Sequence, residues 1–361
     1  MKIFQISAYF PPFYGGSERY CYNISRRLAE KHEVHVFTSH LSNNPPYEEL
    51  EGIHVHRVFT LGRMLNINPL AFVLPKIIKQ DFDILHAHSY IFFTTYQSAI
   101  ARALKTFPFL LHLHGGLGEI PKQYSELKYL AKKIYDITVA PFIFRSAERI
   151  FSVSSTDIRT ASLLFNVPTE KFIYAPNAVE PQLFRKSDYR GPVLFVGRLE
   201  EWKGARELPY IIERLETEVQ VIGSGSYLKY LKKRYVNSRK VKVMGRLSSE
   251  KVREALSHAK LLILPSYMEG LPTVILEAFA AQVPVVAYDV GGVAELLSDN
   301  KSGYMCKLGD KDRFIELCQR ILADEKLMKR MGREGRKKVE ERYSFSKVVE
   351  KIEKTYEEVI Q

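Results

Sequence analysis

The chain has 361 residues, 46% of them hydrophobic and 26% charged, a composition that fits a folded soluble protein with room for two hydrophobic cores. Its net charge of +12 favours anionic partners of any kind, nucleotide, nucleic acid or membrane surface, and selects none of them. Three scattered cysteines, Cys21, Cys306 and Cys318, argue against a disulfide framework or a CxxC metal site and imply a reducing, cytoplasmic setting.

The first residues, MKIFQISAYFPP, lack the basic and long apolar regions of a signal peptide and run directly into a strand pattern. From there, the short runs KIFQIS, EVHVFTS, DILHAHS, FLLHLHG and RIFSVS alternate with amphipathic stretches, which predicts a parallel sheet of βαβ units. After the polar stretch NAVEPQLFRKSDYRG a second series follows: PVLFVG, EVQVIG, KVKVMG, KLLILPS and VPVVAYD. The most apolar region is interrupted by Lys260, Glu269, Glu277 and Asp289, so no membrane span is expected. The predicted class is α/β, with doubly wound domains over 1–180 and 181–342 and a C-terminal helix over 343–361 returning to the first. Ligands of open parallel sheets bind outside the carboxyl ends of the strands, so the site is expected in the cleft between the two domains.

Along the chain, the first motif is SAYFPPFYGGSERY, where Gly15 and Gly16 turn a strand into a helix and Ser17 is placed to cap it, so amides near Gly16 can approach an anion. DFD at Asp81 to Asp83 precedes its strand, at the end away from ligands, and reads as a turn. DILHAHS and FLLHLHGG carry His86, His88, His112 and His114 in two HxH pairs on different strands. No cysteine or carboxylate shares their spacing, so packing histidines are expected at three positions and a site residue only at His114, which ends its strand. The segment KQYSELKYLAKKIYDITVAPFIFRSAER mixes basic and aromatic residues, and reads as a helix pair on the sheet or as a surface that meets a bilayer.

In VLFVGRLEEWKG, Arg198 and Lys203 follow a strand end and can hold a diphosphate, unless Glu200 and Glu201 balance them in a solvated loop. The GSGS after Ile222 lacks the full dinucleotide fingerprint. In PSYMEGLPTVILEAFAAQVPVV, Pro272 is expected at the first helical position, with Glu269 in the loop before it and Glu277 about one and a half turns inside. The amides of Gly270, Leu271 and Thr273 and the helix dipole then form a phosphate seat between two carboxylates. A nucleoside diphosphate sugar has that layout of ribose hydroxyls, anionic diphosphate and sugar hydroxyls.

GGSE, HLHGG, PNAVE, VGRLEEWKG and EGLPTVILEA occur in the order found in the retaining GT-B glycosyltransferases of family 4, which the chain resembles over nearly its whole length. The resemblance implies a GT-B fold of two Rossmann-like domains facing across a cleft, a metal-free reaction and no cofactor besides the donor substrate. Glu269 would bind the donor sugar and His114 would meet it near the reacting carbon, the two forming the catalytic pair. Glu277 would bind the ribose, Arg198 and Lys203 the diphosphate, and Gly16 the donor phosphate. Gly15, Gly223, Met244, Gly270, Leu271, Thr273 and Asn177 complete the donor-binding set. Ala178 and Glu180 depart from the PNGVD common in the family. The implied partners are a UDP-, GDP- or ADP-sugar, a lipid-linked glycan or other hydroxyl acceptor and a membrane surface, with no nucleic acid. A sugar-nucleotide epimerase of the same fold, a glycoside hydrolase, a nicotinamide dehydrogenase and a non-catalytic sugar-nucleotide sensor are the competing readings.

Overall fold

Most parallel strands in this chain are short, largely apolar runs buried on both faces, as parallel strands covered by helices must be. The computed structural model describes residues 1–13, 15–41, 43–65, 68–115, 117, 126–297 and 300–361, which divide into two compact units. The first comprises Met1–Pro176 with Phe345–Gln361 and the second Asn177–Ser344. Both crossings thus fall a few residues from 180 and 342. Val179 N–H donates to the Tyr343 carbonyl at 2.9 Å, which ties the two crossing segments together inside the second unit.

In the first unit the elements run β1 (Lys2–Ile6), α1 (Gly16–Leu28), β2 (Glu33–Ser39), β3 (Tyr47–Leu50), β4 (Ile53–Val58), β5 (Thr60–Met64) and β6 (Asn68–Ala71). They continue with α2 (Leu74–Lys79), β7 (Ile84–His88), α3 (Phe93–Leu104), β8 (Phe109–Leu113), α4 (Glu126–Thr138), α5 (Ala140–Ser146), β9 (Arg149–Ser152), α6 (Ser155–Phe165) and β10 (Phe172–Tyr174). Eight strands pair in the order β10-β9-β8-β7-β1-β2-β4-β3, parallel except for β3 against β4, while β5 and β6 form a separate hairpin. The order reverses at β1, between β2 and β7, so the loops after β1 and β7 open at a switch point.

The second unit contains β11 (Val193–Val196), α7 (Leu208–Ile212), β12 (Val219–Ile222), α8 (Leu228–Arg234), β13 (Val241–Gly245), α9 (Ser249–Leu256) and β14 (Leu261–Leu264). After these come α10 (Thr273–Ala280), β15 (Val285–Tyr288), α11 (Val293–Leu297), β16 (Gly303–Cys306), α12 (Lys311–Leu322) and α13 (Glu325–Arg342). The parallel order β13-β12-β11-β14-β15-β16 reverses between β11 and β14. The last helix, α14 (Phe345–Ile360), belongs to the first unit, where Ile352 and Tyr356 are fully buried and Gln5 of β1 donates to the Tyr356 hydroxyl at 3.1 Å.

Candidate active site

In the second unit the loops leaving β11 and β14 meet at the switch point. Tyr267 N–H donates to the Trp202 carbonyl at 2.9 Å. Gly204, at φ +74°, lies so close to Pro265 that a Cβ would stand 1.9 Å from its carbonyl oxygen. This contact brings Lys203 Nζ to 2.6 and 2.7 Å from the two carboxylate oxygens of Glu269, with the side chains only 17% and 6% exposed. Lys203 and Glu269, assigned by sequence to diphosphate and sugar, hold each other.

Arg198 is exposed, and its guanidinium lies 4.4 Å from the centre of the Trp202 ring, which Lys203 Nζ approaches at 4.7 Å. Their acidic neighbours point elsewhere. Glu200 accepts from the Ser226 amide at 3.0 Å and from its hydroxyl at 2.6 Å, pinning the GSGS loop, and Glu201 pairs with Arg206 at 3.3 Å. The solvated-loop reading, in which Glu200 and Glu201 balance Arg198 and Lys203, does not hold.

Pro272 is the N-cap of α10, with extended ψ of 109°, and Thr273 is the first helical residue, one position later than expected. Glu277 is consequently the fifth residue of α10 and half-buried, on a helix whose Cα–Cβ bonds tilt towards its start. The Gly270 carbonyl accepts from the Gly292 amide at 2.7 Å and the Leu271 carbonyl from Asn177 Nδ2 at 2.6 Å, so Asn177 holds this segment from the side. Gly291, at φ +52°, packs on Glu269 itself: a Cβ there would be 1.8 Å from the Glu269 carbonyl oxygen. Sequence reasoning missed Gly291 and Gly292, although a glycine pair two residues after a strand was the available signal.

Two further donor-site candidates differ in their surroundings. Gly223 donates its amide to the Gly245 carbonyl at 2.9 Å, so its contribution is the absent side chain: a Cβ would lie 1.8 Å from the Gly197 carbonyl. Met244 is exposed on the edge strand β13.

In the first unit Gly15, rather than Ser17, is the N-cap of α1, because its backbone is already extended at φ −110°, ψ −172° and Gly16 is helical. Glu18 folds back over this turn, with a carboxylate oxygen 2.1 Å from where a Gly15 Cβ would stand, and so puts negative charge at the helix N-terminus. At the neighbouring strand ends, burial holds His86 and His114 at about 3 and keeps His88 and His112 well below the ordinary histidine range. His114 is therefore uncharged at neutral pH and offers a hydrogen bond, not a positive charge. Asp81 pairs with Lys105 at 2.9 Å and Asp83 accepts from the Lys2 amide at 2.7 Å, which accounts for DFD as a structural turn.

Of the basic, aromatic segment over 122–149, residues 122–125 lie outside the described residues. Both of its helices form. α5 packs Ile143 and Phe144 into the core, while α4 leaves Leu127, Leu130, Ile134 and Ile137 exposed. No described helix is long and apolar enough to cross a membrane.

Residues 14–183 match the family described as Glycosyltransferase Family 4, and residues 182–338 match Glycosyl transferases group 1. The chain is a family 4 glycosyltransferase. An uncharacterized glycosyltransferase of Methanocaldococcus jannaschii is 27% identical to it over 99% of both chains. Among solved structures, sucrose-phosphate synthase from Thermosynechococcus elongatus superposes with a TM-score of 0.84 at 19% identity over 99% of each chain. The Anabaena protein HepE in complex with UDP-glucose gives 0.78 at 18% identity, over 99% of this chain and all of that one. The fold of this family 4 glycosyltransferase is thus GT-B, and membership decides against the hydrolase and dehydrogenase readings.

Proposed function

We propose that the chain is a retaining hexosyltransferase that moves a sugar from a nucleoside diphosphate to an acceptor hydroxyl without a required metal. The observation that carries this reading is the Lys203–Glu269 pair beside the N-terminus of α10. A diphosphate arriving there competes with Glu269 for Lys203 and finds Arg198 and the helix dipole in addition. Glu269, released from the lysine, accepts hydrogen bonds from sugar hydroxyls, and Glu277 does so from the ribose. Gly16 lends an amide to the donor phosphate, and His114 meets the sugar.

In the transfer, the bond from the anomeric carbon to the phosphate oxygen breaks, and a bond to the acceptor oxygen forms on the same face. The acceptor proton passes to the departing phosphate oxygen. Arg198, Lys203 and the start of α10 stabilise the charge that grows on the diphosphate, the largest contribution expected in such a site.

A UDP-sugar is the first donor to test, because HepE is solved with UDP and UDP-glucose. A thermal-shift screen against UDP, GDP, ADP and their sugar conjugates, with and without EDTA, reads donor choice directly, since a ligand of the native state raises its melting temperature. A chelator-resistant shift is expected with one sugar nucleotide, and no shift with any of them removes the donor-site assignment. The anomeric coupling of the product, by proton NMR, tests retention.

The acceptor is proposed to be lipid-linked and reached at the inner membrane surface. The support is the exposed stripe Leu127, Leu130, Ile134 and Ile137 on α4, with Lys133 exposed among them. Co-sedimentation with anionic vesicles is expected, and is lost in Ile134→Glu. A wild-type chain that stays in the supernatant with anionic and neutral vesicles alike overturns the membrane reading.

A further inference from the structure

His86 and His88 of β7 and His112 of β8, with His114 just beyond it, fall on one face of the first sheet by the two-residue period. Their rings stack, with centroids 5.3 Å apart for His86 and His112 and 5.2 Å for His88 and His114. Nitrogens of His86, His88 and His112 come within 4.8 Å of one another, a spacing that a metal could use. These nitrogens are already engaged, however, with one another, with Gln5 of β1 and with Tyr356 of α14.

The bonds form a chain with a direction. Gln5 donates through Nε2 to the Tyr356 hydroxyl at 3.1 Å, so its Oε1 faces His88 Nε2 at 2.8 Å and accepts the hydrogen there. A neutral His88 with hydrogen on Nε2 has a bare Nδ1. His114 Nε2 lies 2.9 Å from that lone pair and must donate to it, which leaves the lone pair of His114 on Nδ1.

The other arm agrees. The Tyr356 hydroxyl, accepting from Gln5, spends its single hydrogen on His86 Nδ1 at 2.6 Å, and His86 Nε2 then donates to His112 Nδ1 at 3.2 Å. His112 Nε2 carries the last hydrogen and ends beside the Ala175 carbonyl, without a hydrogen bond of good geometry. Turning the Gln5 amide over would reverse both arms and set a bare His112 nitrogen against that carbonyl, two acceptors face to face.

We propose that Gln5, His88 and Tyr356 are positioning residues that lock His114 in its Nε2–H tautomer and present Nδ1 as an acceptor for a hydroxyl of the transferred sugar. The contact with sugar rests on the function proposed above; the lock itself does not. It extends from the C-terminal helix, 242 positions along the chain from His114, through three side chains to the end of β8.

Long-range nitrogen–proton NMR of the full chain labelled with 15N-histidine, with His114 identified by the signals lost in His114→Gln, reads the tautomer without any turnover. Wild type is expected to show hydrogen on Nε2 of His114 and none on Nδ1. Tyr356→Phe keeps the ring but removes the group that orients the Gln5 amide, and Gln5→Met removes the amide itself. In either variant His114 is expected to populate both tautomers, whereas a merely structural role would lower the melting temperature and leave the tautomer unchanged. An Nδ1–H form in wild type, or an unaltered tautomer in both folded variants, overturns the lock. The same variants are expected to raise KM for the sugar nucleotide roughly 2- to 10-fold while leaving affinity for the free nucleoside diphosphate unchanged. A shifted tautomer with an unchanged KM would support the lock and remove His114 from the sugar site.

Discussion

Lys203 has two claimants for its charge, the Glu269 carboxylate at 2.6 Å and the diphosphate of a donor. Glu269→Gln keeps the shape of the side chain and removes one claimant. Free nucleoside diphosphate is then expected to bind about 2- to 10-fold tighter, while turnover falls about 10- to 100-fold, because a neutral amide is a weaker acceptor for the sugar hydroxyls. Calorimetric titration beside steady-state rates checks both signs, and weaker nucleotide binding in the variant would mean that carboxylate and phosphate do not compete. Trp202 supplies a direct reporter. It is the sole tryptophan, and two cations lie over its ring, at 4.4 and 4.7 Å. A diphosphate that draws Lys203 or Arg198 from the ring must change its emission, so saturable change with nucleotide is expected and should be about 10-fold right-shifted in Arg198→Ala. Constant emission at a nucleotide concentration that raises the melting temperature would show that neither cation moves.

The elements that position these residues were unevenly legible in sequence. Apolar runs such as DILHAHS and PVLFVG match β7 and β11 because strands buried on both faces leave a local signature. The antiparallel additions β3, β5 and β6 escaped notice, since YEEL and TLGRM are half-exposed or exposed and carry no such run. The ordered motifs marked the loops of the site, yet not what those loops bind to one another. Lys203 reaches Glu269 across 66 positions and Gln5 reaches Tyr356 across 351, distances over which periodicity says nothing. The loop after β15 shows the consequence. Gly291→Ala adds a methyl 1.8 Å from the Glu269 carbonyl, at φ +52°. Strain at such a position costs about 1–3 kcal/mol, so the melting temperature should fall by a few degrees while turnover falls further, because the loop that moves carries Glu269. Measuring both in one variant separates the cases: a full rate with a lowered melting temperature would make Gly291 a stability residue only.

At the scale of the whole molecule, the two units should answer differently to acid. All ten histidines except His258 lie in the first unit. Burial holds His86 and His114 at about 3 and His56 at about 4, below the ordinary value of 6.5. A histidine kept neutral in the fold contributes its full stability above the unfolded value of 6.5, and that contribution is lost as pH falls from there towards the folded value, because the unfolded chain binds the proton first. Each such group removes on the order of 2 kcal/mol between pH 7 and pH 5. Carboxylates do not yet add to this loss, since the lowered ones, such as Glu33 at about 2, lose their contribution only as pH falls below 4.5. The one histidine of the second unit, His258, is exposed and lies 2.8 Å from Asp188, so that unit holds no buried histidine. Scanning calorimetry at pH 7.5 and pH 5 is therefore expected to show the transition of the first unit displaced downwards by at least about 5 °C, with that of the second nearly unmoved. His112→Leu, which leaves fewer neutral rings to protonate, should narrow the displacement. Transitions that move together on acidification would show that the buried histidines do not govern the acid stability of the fold.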